Sequence, residues 1–406
     1  MQLVLVFSAT LLIAVLISER AERSVLSTAV LFLVSGFLAG CGIFGSAPHP
    51  SREVVQRFAE LALFSVLFTD GMRLNVHDLR KGWLLPTRAL IRGMPLTIAG
   101  IGLLGKFLAG LSWTDAFLLG AALSPTDPVF VAAIFRFEGV PDRVKHLLNV
   151  ESGVNDGLAL PIVVVLLAVA GSQHESGLMI AAEMLFGIVI GIVIPWLAIK
   201  LLNSRFFAAA EHYRPLNAFA IGLLVLGISD VFNANTFLAA FAAGITIATL
   251  SDDVKESFYE FGELVTELLK LAALLFFAML IAPRFFEPVP WRQIVFVLLA
   301  VFAVRPLIFP LALAPSDLTR REKLVAGWFG PKGFASVVYG FMILNGRFPQ
   351  APQLAHLMGI AIAASIIVYA STDVLIARWI EKHPIENRSQ ENAVSEPRET
   401  PPAAGG

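Results

Sequence analysis

The chain of 406 residues holds a single cysteine, Cys41. An intramolecular disulfide is therefore impossible, and no cysteine metal cluster can form. Its seven histidines are scattered without ligand spacing, and only 15% of residues are charged against 57% hydrophobic. With a mean hydropathy of +0.76, a soluble domain of this length would lack the polar residues to cover its own surface. Apolar runs of spanning length recur from the first residues to about residue 381, so an all-α polytopic membrane protein is expected. No nucleic-acid partner and no cofactor are expected. The net charge of −1 says little, and the placement of the charges says more.

On a criterion of ~20 residues per span, the apolar runs give about thirteen. They cover 2 to 18, 25 to 41, 54 to 71, 84 to 110, 113 to 135, 144 to 170, 177 to 202, 215 to 232, 235 to 250, 259 to 282, 291 to 314, 321 to 345 and 353 to 380. The first has the apolar core of a signal peptide but no basic flank or convincing cleavage site, so it reads as a span. Basic residues fall on every second connection: Arg20 and Arg23; Arg73, Arg80 and Lys81; Arg136, Arg143 and Lys145; Lys200, Arg205 and Arg214; Lys255; Arg320, Arg321 and Lys323; Arg378 and Lys382. The positive-inside bias makes those connections cytoplasmic, with the N-terminus outside and the C-terminus inside. Residues 1–382 form the transmembrane domain. Residues 383–406, rich in Glu, Pro, Ser, Asn and Ala, read as a disordered cytoplasmic tail.

The stretch Asn149 to Gly157 interrupts the apolar run Val144 to Ala170 with Glu151, Ser152, Asn155 and Asp156. Carboxylates at mid-membrane depth are costly and do not persist without a use. On a helix Ser152 and Asp156 are i and i+4 and share a face, while Glu151 and Asn155 share the neighbouring one. One face can offer oxygens to an ion, and the other can take a structural partner. Arg305, flanked by Val304 and Pro306 near the centre of the eleventh span, is the economical partner for Glu151. That pairing leaves Asp156 free for chemistry.

Two spans are broken. The fifth contains Ser124-Pro125-Thr126-Asp127-Pro128, where the prolines withhold N–H groups from the carbonyls of Ala121 and Ser124. The twelfth contains Gly327 and then Gly330-Pro331-Lys332-Gly333. Such breaks survive at membrane depth only where protein or a cavity receives them, and inverted repeats produce them in pairs with a site at their crossing. Arg92 with Pro95 and Arg305 with Pro306 repeat the same offset faintly. Asp127 can offset the positive N-terminal helix ends and Lys332 the negative carbonyl ends. A single proline in a membrane helix is more often only a kink; a charge inside each of two breaks weighs the other way.

Asp70 stands at the end of the third span, as an interfacial residue of the following loop or as part of a site. Arg88, Arg92, Lys106 and Asp115 lie near span ends and can snorkel. Glu260, Glu263 and Glu267 with Lys255 and Lys270 follow helical spacing and read as a solvated or subunit-facing stretch.

Four stretches together resemble a known family. Phe68-Thr-Asp-Gly-Met-Arg-Leu, Ser124-Pro-Thr-Asp-Pro-Val, Glu151-Ser-x-x-Asn155-Asp156-Gly and Gly330-Pro-Lys-Gly are similar to the motifs of NhaP-type sodium/proton antiporters, bacterial relatives of the animal electroneutral exchangers. The resemblance implies a homodimer of thirteen-helix protomers in the bacterial inner membrane. Each would have a dimerisation scaffold and a core of spans four to six and eleven to thirteen containing the two crossed, interrupted helices. It implies that Asp156 exchanges ion and proton, assisted by Asp127, Ser152, the Thr126 main chain and Asp70. Family members often carry Glu where Asp70 stands, which leaves direct coordination by the shorter side chain open, and some carry Arg in place of Lys332. Asn155 before Asp156 resembles the electroneutral branch.

The expected cargo is Na+ or Li+ against H+, one for one, with proton and cation competing for one site. Potassium/proton exchange on the same scaffold is the alternative. A gated channel would need a repeated selectivity filter, which the sequence does not show. An intramembrane hydrolase would need a base or metal near Ser152, and no histidine is spaced to serve.

Overall fold

In hydrocarbon every backbone N–H and C=O must find a partner within the protein, and a chain this apolar meets that demand with helices. The computed structural model describes residues 2–21, 28–42, 52–74, 84–127, 140–171, 177–204, 210–314 and 316–382, and among them there is no strand. Pro128, the second half of the fifth span, the basic connection holding Arg80 and Lys81, and the tail 383–406 lie outside the described residues.

In chain order the helices are α1 (Gln2–Ala21), α2 (Thr28–Gly40), α3 (Arg52–Arg73), α4 (Leu84–Phe107), α5 (Trp113–Leu123), α6 (Asp142–Ala170) and α7 (Gly177–Leu202). They continue as α8 (Pro215–Val231), α9 (Thr236–Leu250), α10 (Asp252–Phe285), α11 (Trp291–Ala312), α12 (Arg320–Trp328), α13 (Phe334–Leu344) and α14 (Ala351–Lys382). Among the described residues six spans qualify by length and composition: α4, α6, α7, Phe261–Phe285 of α10, α11 and Ala351–Tyr369 of α14; the bent pair α9 and Asp252–Tyr259 would make a seventh. Helices α5 and α13 are too short to qualify because each is one side of a break. Helix α3 is diluted by Arg52, Glu53, Arg57, Glu60, Asp70 and Arg73.

Local sequence explains most of the boundaries. Ser112 caps α5, and Asn235 caps α9 by accepting from Leu238 N–H. Asn233, at φ 51°, turns the chain sharply between α8 and α9 in the left-handed region that Asn tolerates. Thr319 and Glu322 form a reciprocal capping box at the start of α12. Helices α4 and α11 are both irregular just before a proline. A π-helical turn spans Ala89–Gly93 ahead of Pro95, and α11 breaks at Ala303 ahead of Pro306. Their arginines part company there, for Arg305 is buried and Arg92 exposed.

Packing sorts the helices into two groups. In the first, α9 lies on α3, α7 and α8, and α10 lies on α2, α3 and α8. Gly71 of α3 and Gly244 of α9 let those two backbones touch, since a Cβ on either would strike the other helix's main chain. In the second group α4 packs on α5, α5 on α6, α11 on α4, α12 and α14, and α13 on α14. Contacts between the groups are thinner: α3 with α6 and α13, α9 with α6, and α10 with α13 and α14. The Phe277 and Phe341 rings meet edge-on across this seam, 5.3 Å between centroids.

Candidate functional site

The two interrupted spans meet. Asp127 N–H donates to the Pro331 carbonyl at 3.1 Å, joining one break to the other through the backbone. The Asp127 carboxylate accepts from the N–H of Phe334, the first residue of α13, at 3.3 Å. A negative charge thus sits at a helix N-terminus, where orphan N–H groups and the helix dipole favour it. The approach needs Gly333, because a Cβ there would land on the Asp127 side chain.

The freed carbonyls differ from the expectation at one point. The carbonyl of Ala121 is not left open: Ser124 donates to it through Oγ at 2.9 Å and through N–H at 3.4 Å. The next carbonyl, Ala122, takes Ser336 Oγ from α13 at 2.8 Å. Hydroxyls close by in sequence and space replace the N–H that Pro125 lacks.

Helix α6 runs unbroken past this crossing and buries Glu151, Ser152, Asn155 and Asp156 together. Asn155 Nδ2 donates to Thr126 Oγ1 at 2.9 Å and reaches the Thr126 carbonyl at 3.5 Å, so it holds the break of the fifth span. Glu151 receives both terminal nitrogens of Arg305, each at 2.7 Å, in a buried fork. The same guanidinium lies over the Phe309 ring, 4.1 Å from its centroid. Ser152 Oγ donates within its own helix to the Asn149 carbonyl at 3.2 Å. For Asp156, the main-chain carbonyl accepts Tyr339 OH at 2.7 Å, while Oδ1 has no hydrogen-bond partner in the structure.

Lys332 does not bond the carbonyl helix ends. Its Nζ is fully buried with no hydrogen-bond partner, and the charges of Arg305 and Glu151 bear on it with opposite sign. Its main-chain N–H is fixed by Ser365 Oγ at 2.8 Å. The Pro331 carbonyl at the break is taken instead by Asp127 N–H at 3.1 Å.

Asp70 belongs to the last turn of α3 rather than to a loop, 3.5 Å from Arg73. Arg73 also reaches Glu263 of α10 at 3.0 Å. The acidic groups therefore come from both sides of the seam: Asp70 from the first helix group, Asp127 and Asp156 from the second. Asp156 experiences the charges of both other carboxylates. Among the described residues no set of three or more His, Cys, Asp or Glu is close enough to chelate a metal ion.

Several participants were missed in the sequence. Tyr339 gave no signal, being one aromatic residue in an apolar helix. Ser65 and Thr69 of α3 meet Thr266 of α10 hydroxyl to hydroxyl, at 2.6 and 3.0 Å. Lys270, one turn beyond Thr266, is largely buried and lies within electrostatic reach of Asp70, Asp127 and Asp156. The charged stretch of α10 is therefore not only solvated or subunit-facing. Arg143, counted only as a basic loop residue, forks onto Glu322 at 2.6 and 2.8 Å. The capping box Thr319-x-x-Glu322 was a readable signal for the acceptor.

An all-α polytopic fold with buried carboxylates at the crossing of two broken helices is an architecture that membrane-embedded secondary transporters use. The chain belongs to the sodium/hydrogen exchanger transmembrane family, whose model matches residues 6–378. It is 25% identical over 376 residues to a K(+)/H(+) antiporter NhaP of Alkalimonas amylolytica, covering 91% of this chain and 65% of the relative. A Na(+)/H(+) antiporter of Schizosaccharomyces pombe is 30% identical over 261 residues, 57% of this chain and 54% of the relative. The chain thus spans about 65% of the length of the curated relative NhaP. The fold is that of the sodium proton antiporter MjNhaP1 of Methanocaldococcus jannaschii at pH 8, with TM-score 0.76 and 18% identity over 95% of this chain and 98% of that one.

Proposed function

We propose that the protein exchanges a monovalent cation for a proton, with Asp156 as the carboxylate that takes either. The observation that carries this reading is its buried Oδ1, free of hydrogen bonds, beside the crossing of the two interrupted spans. Asp127, Ser152, the Thr126 main chain and Asp70 would complete the cation's oxygen shell as it binds. Glu151 with Arg305, Asn155 and Lys332 are structural and charge-compensating. A buried unloaded carboxylate is costly to carry through a bilayer, and either load neutralises it, so exchange is enforced and leak suppressed.

The proposal covers thirteen spans with inverted repeats, the N-terminus outside and the C-terminus cytoplasmic, in a bacterial inner membrane. The group α4 to α6 and α11 to α14 would be the moving core of a homodimer. The group α1 to α3 and α7 to α10 would be its scaffold. Stoichiometry would be one to one, because Asn155 stands beside Asp156 and Arg305 cancels Glu151.

Potassium is the favoured cation, because the relatives that match about 90% of this chain carry the name K(+)/H(+) antiporter. Sodium is the second reading, favoured by the names of the yeast relative and of the structural neighbour. Proteoliposomes with an internal pH dye test both. Potassium-driven proton movement, lost in Asp156→Asn, is expected. Movement with sodium alone would change the cargo, and activity surviving Asp156→Asn would overturn the site.

A further inference from the structure

The α10 face towards α3 carries Glu263, Thr266, Glu267 and Lys270 at helical spacing. It is pinned there at two levels. Arg73 holds Glu263 at 3.0 Å, and Ser65 and Thr69 hold Thr266 through hydroxyls. The next turn brings Lys270 inward, its side chain 16% exposed, with Glu267 3.6 Å away and 40% exposed. From that position its ammonium acts on Asp70 of α3, Asp127 after α5 and Asp156 of α6, with Arg73 the other cation facing it.

Asp70, Asp127 and Asp156 are three carboxylates at the seam, and Lys270, 16% exposed, is the more buried of the two cations bearing on them. Arg73 at 42%, Glu263 at 43% and Glu267 at 40% are all more exposed, and water screens them.

We propose that Lys270 is a resident counter-cation of the exchange site, which sets its cation affinity. The inference rests on the antiport reading and adds a specificity-determining residue to it. Lys270 ligates nothing that is transported. It raises the electrostatic cost of bringing in a further positive charge, which keeps affinity low.

The test compares wild type, Lys270→Met, Lys270→Arg and Glu267→Gln, reconstituted as the full chain, reading apparent KM for K+ and Na+. Lys270→Met is expected to lower apparent KM about tenfold, equivalent to about 1.4 kcal/mol. Lys270→Arg should stay near wild type. Glu267→Gln, at a half-exposed position tolerant of change, should raise KM at least twofold by leaving the ammonium less neutralised. A Lys270→Met protein with KM within twofold of wild type, or altered only in maximal rate, overturns the proposal. If Lys270→Met does not fold, Glu267→Gln decides alone, and an unchanged or lowered KM overturns it. If wild type moves no protons with either cation, the antiport reading falls instead. The thermal shift of detergent-solubilised wild type and Lys270→Met against K+ concentration then decides whether Lys270 sets affinity.

Discussion

Replacing Arg305 with Met removes one half of a pair whose side chains are only 3% and 6% exposed. Methionine fills most of the apolar volume of the stem, so the loss isolates the charge. Glu151 then keeps a carboxylate in the interior without its two 2.7 Å partners. Breaking one side of such a pair costs ~3–5 kcal/mol. Lys332 lies close enough to act on Glu151, which places Arg305→Met at the lower end, about 3 kcal/mol. Glu151→Gln removes the negative charge instead, and leaves Arg305 one amide oxygen in place of two carboxylate oxygens, with the Ala326 carbonyl at 3.4 Å and the Phe309 ring. A similar loss of about 3 kcal/mol is expected there. The double variant Glu151→Gln/Arg305→Met leaves no isolated charge from the pair and should lose about 3 kcal/mol rather than the sum of about 6, a coupling of about 3 kcal/mol. Unfolding of the purified protein in mixed detergent, titrated with a denaturing detergent and followed by helix content, measures all four corners of the cycle. Additive losses, or single losses below about 1 kcal/mol, would refute the assignment of this pair as a mutually dependent buried structural element.

Gly333→Ala should disturb the crossing directly, since its Cβ falls on Asp127; a stability loss of ~1–3 kcal/mol by the same titration and a large fall in transport are expected, and wild-type behaviour would mean the two breaks are looser than they look. Thr266→Val keeps the shape but removes both hydroxyl contacts to α3. Its cost should be ~1–3 kcal/mol, read as a lowered unfolding midpoint with transport retained. Tyr339→Phe removes the 2.7 Å bond to the Asp156 carbonyl and should cost ~1 kcal/mol while leaving apparent KM for the cation within a factor of about three; an abolished activity would make Tyr339 part of the transport chemistry rather than a brace.

What was legible in the sequence was whatever had to pay a visible energetic cost. Glu151, Asp156 and Arg305 stand out because charges inside apolar runs are expensive, and the scarcity of alternatives nearly dictated that Arg305 should seek Glu151. Pro125 and Gly330-Pro331 stand out because they break backbone bonding where water cannot mend it. The repairs were not legible. Ser124 and Ser336 take the carbonyls around the break, but a serine in an apolar helix reads the same whether it bonds its own turn or another helix. Lys270 was hidden for the opposite reason. Its neighbours Glu263 and Glu267 are exposed, so the stretch carried the periodicity of a surface, and only the third dimension shows one of its charges turned inward. Span counting suffered from the same interruption that marked the site, because α5 and α13 are each too short to qualify alone.

The two helix groups are held together by different means, and the difference bears on how a load could cross. Within the first group, glycines bring backbones together: Gly71 and Gly244 between α3 and α9, and Gly36 and Gly40 of α2 against the main chain of α10. Close backbone packing of that kind resists sliding, because a shift of a fraction of a turn drives side chains into the opposite main chain. Within the second group, two Arg–Glu forks tie α6 to its neighbours. Arg305 binds Glu151 from α11, and Arg143 binds Glu322 of α12. Across the seam the contacts change character to rings on glycine or on rings, as where Phe241 of α9 covers Gly157 of α6 and Phe277 meets Phe341. Such surfaces specify no hydrogen-bond register and can shift at small cost. Asp127 and Asp156 sit on one bank of that seam and Asp70, Arg73 and Lys270 on the other. In the proposed movement of core against scaffold, the carboxylate that carries the load would change its distance to the cations that balance it. Loading and movement would then be coupled through electrostatics.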